Sequence, residues 1–160
     1  MMDEKQFWQI VDSTRELAKS QKRRQGEDFI DAHIATLTAA LEKLPTEQIV
    51  AFNDRFWDCH QRAYDWNLWA AAYWLGGGCS DDGFLDFRAC LISLGKDLFT
   101  RAVANADALA EIADRDDIPG MQAEGFQYVA SGVYKKITGE NISLDGVPYP
   151  GLFTLSFCES

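Results

Sequence analysis

A chain of 160 residues, 47% hydrophobic, with 12 glycines and 4 prolines has the length of one domain and too little Gly and Pro for a low-complexity segment. That excludes intrinsic disorder for most of it, and such a chain buries a core without disulfides or metal. Fifteen Lys+Arg against 25 Asp+Glu give a net charge of −10, which repels nucleic acid and anionic membrane at long range and attracts basic partners.

From the N-terminus, Met1 to Ile10 holds Asp3 and Glu4 and no long apolar run, so it does not read as a signal peptide. Phe7, Ile10, Thr14 and Leu17 form the stripe of a first helix. It fades in the basic run Lys19, Lys22, Arg23, Arg24, which reads as a solvated helix end complementing the C-terminal dipole rather than a nucleic-acid patch. Gly26 breaks it. Ile30, Ile34, Leu37, Leu41 and Leu44 mark a second helix, stopped by Pro45, and Ile49, Phe52, Phe56, Cys59 and Ala63 a third. From Trp66 to Leu75 apolar residues fall all round, the mark of a buried central helix, ended by Gly76, Gly77 and Gly78. This uncharged stretch is too short to span a bilayer. Ser80 or Asp81 caps the next helix, striped by Phe84, Phe87, Leu91, Leu94 and Leu98.

Asn105 caps a short helix with Leu109 and Ile112, and Asp114 to Gly120 reads as a loop. The last helix carries Phe126, Val129, Val133 and Ile137, with Gly139 just past its end. The tail, residues 140–160, loses the helical period and is irregular or extended. The expectation is an all-α, single-domain bundle over residues 1–160, with about six or seven helices around a buried aromatic helix.

Three of five tryptophans and two of five tyrosines fall between Tyr64 and Trp74. As core, Trp66 and Trp69 would each cost about 3–5 kcal/mol on replacement by Ala; as a surface, they would point to recognition. The glycines resemble an anion cradle, but Asp81 and Asp82 stand where the anion would sit, so they serve the helix N-terminus instead. Asp82 and Asp86, four apart, share a helix face, which suits a cap plus a solvated carboxylate better than a hard cation or an acid–base pair. Arg88 is placed to pair with one of these carboxylates.

Catalytic chemistry is thinly represented. Cys59 and His60 are sequence neighbours about 100° apart on a helix, which prevents a nucleophile–base pair, and His33 flanks an apolar stripe. No zinc spacing or G-x-S-x-G is present, so the chain leans away from an enzyme, with no cofactor and no metal. The four widely spaced cysteines, Cys59, Cys79, Cys90 and Cys158, read as reduced thiols of a cytoplasmic protein.

Trp66-Asn67-Leu68-Trp69-Ala70-Ala71-Ala72-Tyr73, Gly77-Gly78-Cys79-Ser80-Asp81-Asp82-Gly83-Phe84, Phe87-Arg88 and Leu91-Ile92 together resemble a bacterial family, the domain-of-unknown-function family 4240. The start (Phe7-Trp8, Ile10) and the run Tyr134-Lys135-Lys136-Ile137-Thr138-Gly139 are also similar, so the family-like region covers about residues 3–139. The sequence departs at Cys90, where the family often has tryptophan, and at Asn67, which replaces a usual aspartate. The resemblance implies a helical, cytoplasmic bacterial protein and supplies no catalytic residues.

The candidate binding residues are Trp66, Trp69, Cys79, Ser80, Asp81, Asp82, Asp86 and Arg88. Small size, charge and the missing catalytic set point to a module that binds a basic protein, such as an immunity protein (an antidote to a basic toxin or effector). The alternatives are a small-ligand binder or enzyme with a pocket at these residues, and a homodimer through an exposed aromatic face. The charge is uneven: from Asp81 to Asp117 nine acidic residues face four basic ones, a local sum of −5.

Overall fold

The computed structural model describes residues 1–21, 26–112 and 123–143. Its elements are α1 (Glu4–Ser20), α2 (Phe29–Leu41), α3 (Thr46–Arg62), α4 (Trp66–Gly76), α5 (Asp81–Ser93), α6 (Lys96–Ala104), 3₁₀ segments at Ala106–Ile112 and Glu124–Tyr128, and α7 (Val129–Thr138). No strand occurs among the described residues, and the chain is the helical bundle that the periodicity predicts. The predicted loop from Asp114 to Gly120, and the tail beyond Ser143, lie outside the described residues.

Short-range chemistry sets most helix ends. A capping box opens α1: Asp3 Oδ1 accepts from the Gln6 N–H at 2.7 Å, and the Asp3 N–H donates to Gln6 Oε1 at 3.1 Å. Pro45 separates α2 from α3, and Gly139 closes α7 in the left-handed conformation. Two expectations shift. The buried face of α1 is Phe7, Trp8, Val11, Thr14, Arg15 and Ala18, so Leu17 lies outside, 51% exposed. The single helix expected from Phe84 to Leu98 is two, broken at Gly95, whose φ is +99°. A Cβ there would come within 2.7 Å of Asp12 Oδ1, the same oxygen that accepts from the Lys96 N–H at 3.0 Å and so caps α6 from a different helix.

The larger correction concerns which helix is central. In α4 only Leu68 and Ala72 are buried, whereas every residue from Phe87 to Gly95 is buried. The inner helix is α5, covered by α1, α3, α6 and the Glu124–Tyr128 segment. Its Phe87, Ala89, Cys90, Leu91 and Ile92 join Phe7, Trp8, Leu37, Phe52, Phe56, Phe99 and Phe126 in one apolar cluster. The small Cys90 is fully buried there, and burial pushes its thiol up to about 12. A side chain from α1 finishes this helix: Arg15 donates to the Ser93 carbonyl at 3.2 Å, within the last turn of α5.

His33 and His60 are fully inside. The Thr14 hydroxyl donates to the Ile10 carbonyl at 2.7 Å, so it accepts from His33 Nε2 at 3.2 Å, and His33 Nδ1 is a bare lone pair. His60 Nε2 donates to the Leu85 carbonyl at 3.1 Å. Burial, with Arg15 and Arg88 nearby, holds both imidazoles down to about 3. Below the unfolded value of about 6.5 only the unfolded chain is protonated at these sites, so their contribution is full above pH 6.5 and is lost as pH falls. Each histidine contributes a slope that rises to about 1.4 kcal/mol per pH unit below 6.5. Urea melts are therefore expected to lose about 3 kcal/mol between pH 6.5 and 5, and His60→Gln to remove about half of that dependence. A flat profile over this window contradicts the buried neutral pair. Gly95→Ala is expected to destabilise by about 2 kcal/mol, from positive φ and the Asp12 contact, as read by the midpoint of the same melts.

Candidate functional site

The segment singled out by its aromatics folds as α4, a glycine turn and the start of α5. Asp65 caps α4, its Oδ1 accepting from the Asn67 N–H at 2.8 Å and the Leu68 N–H at 3.4 Å. Gly77, at φ +69°, ends it, and the Gly78 N–H returns to the Tyr73 carbonyl at 2.9 Å. Ser80 opens α5, its Oγ accepting from the Gly83 N–H at 3.2 Å. Asp81 and Asp82 follow in the first helical turn, both exposed, where they complement the dipole.

From this frame a ladder of rings runs inward. Trp66 stacks on Trp69 (5.4 Å, 10° between planes), Trp69 on Phe84 (4.8 Å, 12°), and Phe84 on Phe87 (6.0 Å, 20°). The Trp69 indole N–H donates to the Cys79 carbonyl at 3.1 Å, tying helix to turn. Burial and the Asp81 carboxylate raise the Cys79 thiol, which keeps it protonated rather than reactive. The outermost ring, Trp66, is 65% exposed.

Arg88 is 2% exposed and, among the described residues, pairs with no carboxylate, contrary to expectation. Its guanidinium lies over the Tyr64 ring (4.9 Å) and the Phe84 ring (4.8 Å) and donates to the His60 carbonyl at 3.2 Å and the Phe84 carbonyl at 3.3 Å. Desolvation brings its pKa down to about 10, still protonated at neutral pH. Asp86 accepts from Gln127 Nε2 at 3.4 Å, and burial, then Glu124 and Asp82, raise its carboxyl. Arg88 and Asp86 are thus tied to the packing of α5. Trp66, Asp81 and Asp82 are at the surface, with Trp69 half-buried between the two sets.

Two residues that the reading did not place in the site change its character. Tyr73 is 57% and Trp74 84% exposed. At about 100° per residue, Trp66, Ala70, Tyr73 and Trp74 fall within one arc of about 100°, opposite Leu68, Ala72 and Leu75. That wheel was readable from the sequence; apolar residues on every side of the helix hid it. Beside this arc lies a cleft of about 520 Å³ lined by Asp65, Asn67, Ala71, Trp74, Asn105 and Asp107, among others. A shallower groove of about 240 Å³ runs along Ile34, Tyr128 and Gly132. Neither is lined by any of the eight residues from Trp66 to Arg88 expected to bind. Among the described residues no three His, Cys, Asp or Glu converge as metal ligands, and no helix is long and apolar enough to cross a membrane.

A family model described as a protein of unknown function (DUF4240) matches residues 2–136, well over half of the chain. No curated protein and no solved structure matches it. The exposure pattern has a direct test in stability. Trp66→Ala is expected to cost under about 1 kcal/mol in a denaturant melt, because most of the ring is already in water. Trp69→Ala should cost about 3 kcal/mol, through lost stacking and an unpaired Cys79 carbonyl. Equal costs at the two positions would contradict a ladder that runs from surface to core.

Proposed function

The chain belongs to this family of unknown function, DUF4240, and on that premise we propose that it is a cytoplasmic protein-binding module whose docking face is α4 and whose partner is a basic protein. The observation that carries the reading is the exposed side of α4, where an uncharged helix presents Trp66, Tyr73 and Trp74 to water. Exposed, clustered, rigid aromatics of this kind characterise recognition surfaces, since each buries a large area at low entropic cost.

Charge supports the sign of the partner. Asp65 stands at the start of α4, Asp81 and Asp82 beyond its end, and Asp107 across the cleft, and none of them forms an ion pair among the described residues. With −10 on the whole chain, such a rim steers a basic surface and repels an acidic one, a second copy of this chain included. In its finer form the reading is an immunity protein that covers the basic surface of a toxin or effector. The small-ligand alternative lacks that support, since neither the 520 Å³ cleft nor the 240 Å³ groove is lined by the residues of the glycine turn.

Affinity capture from the native host with the tagged protein tests this. A basic protein is expected to be retained at low salt, weakened at high salt, and lost with the triple variant Trp66→Ala, Tyr73→Ala, Trp74→Ala, whose melt stays near that of the wild type. Recovery of acidic proteins only, or equal recovery by the triple variant, would sink the reading.

A further inference from the structure

The arc of aromatics on α4 is continuous on one side with the 520 Å³ cleft, whose other wall is the end of α6 and the 3₁₀ turn after it. That volume is within the range of sites that enclose a ligand group, about 300–1,000 Å³. Its lining combines three things. The Trp74 indole, 84% exposed, supplies an open π face. Two carboxylates stand with it. Asp65 spends Oδ1 on the cap of α4 and keeps Oδ2, while Asp107 has its backbone N–H held by Asn105 Oδ1 at 3.1 Å and its carboxylate unpaired among the described residues. Asn67 and Asn105 add amide groups, and among the described residues no lysine or arginine lines the space. The nearest cation along the chain, Arg101, is already held by Asp97 at 3.1 Å and Glu111 at 2.8 Å.

We propose that this cleft is the anchor site of the docking face and takes an arginine side chain of the partner protein. A planar guanidinium stacks on an indole and directs its several N–H donors at separate acceptors on different walls, here Asp65 and Asp107. An ammonium is a compact, strongly hydrated charge that matches such a divided acceptor set less well. An acid side chain is repelled, and an apolar one leaves both carboxylates desolvated without a partner. The α4 arc then covers the anchor's surroundings with apolar contact, as energetically quiet residues do around a central anchor.

The inference rests on the docking reading, and its test separates the two. The probe is acetyl-arginine amide, titrated into the isotopically labelled protein and followed by amide and indole chemical shifts, with acetyl-lysine amide and acetyl-citrulline amide as parallel arms. Saturable binding at about millimolar affinity is expected for the arginine probe, with shifts centred on Asn67, Trp74 and Asp107. Asp107→Asn and Trp74→Ala, both at exposed positions, should each weaken it about fivefold or more, and Leu17→Ala, at an exposed position on α1, should leave it unchanged. No saturation, equal binding of the uncharged citrulline probe, equal binding of lysine, or indifference to Asp107→Asn overturns the proposal. Capture of a basic protein that is insensitive to Asp107→Asn and to competing arginine amide keeps the docking face and discards the anchor. Arginine-probe binding with capture that is undiminished in the double variant Trp66→Ala, Tyr73→Ala but lost in Asp107→Asn keeps the anchor and discards the aromatic face.

Discussion

The arrangement of this protein depends on a buried cation. Arg88, at 2% exposure, brings a guanidinium into the centre of the bundle without a carboxylate among the described residues. Two aromatic faces and the open His60 carbonyl in the last turn of α3 hold it instead. Helix ends leave carbonyls unpaired and carry partial negative charge, so a buried arginine and a buried helix C-terminus satisfy each other. Arg15 repeats the device at the Ser93 carbonyl of α5, and Asp12 serves the N-terminus of α6. Neighbouring helices thus finish one another, and their mutual positions are fixed by these ends as well as by apolar contact.

That constraint explains why the aromatic helix is outside. Because α5 is buried from Phe87 to Ser93, it takes the central place, and α4 packs through buried Leu68 and Ala72 and half-buried Trp69, Ala71 and Leu75. The ring ladder from Trp66 through Trp69 and Phe84 to Phe87 connects the two helices, so the exposed face stands on a rigid support. Rigidity of this kind lowers the ordering cost of binding, which is why an exposed stack on a packed helix is a better recognition surface than the same rings on a loop.

The site was partly legible. Trp66, Asp81 and Asp82 lie at the surface as a docking site requires, and the uncharged stretch beside the glycines is where the exposed rings are found. Asp107, 42 residues after Asp65, was not legible as part of it, because only the turn after α6 brings the two across one cleft. Arg88 misled in the opposite direction. A charged residue beside Asp82 and Asp86 reads as the partner of a carboxylate, yet Tyr64 and Phe84 accept it as a planar cation, and the helix that carries it goes inside.

Local chemistry was sufficient for the helix identities, for most of their ends and for the sign of the charge. Periodicity, caps, proline and glycine act within one or two turns, so one chain in isolation already expresses them. Which helix occupies the centre, which side of α4 meets water and which carboxylates face each other required the tertiary structure. Those outcomes compare the burial of whole helix faces against one another, and for an uncharged, aromatic α4 beside a charged α5 the composition alone ranks them the wrong way round. The cations on α1 and α5 reverse that ranking, because their cost of burial is offset by aromatic faces and helix ends that the folded bundle brings to them.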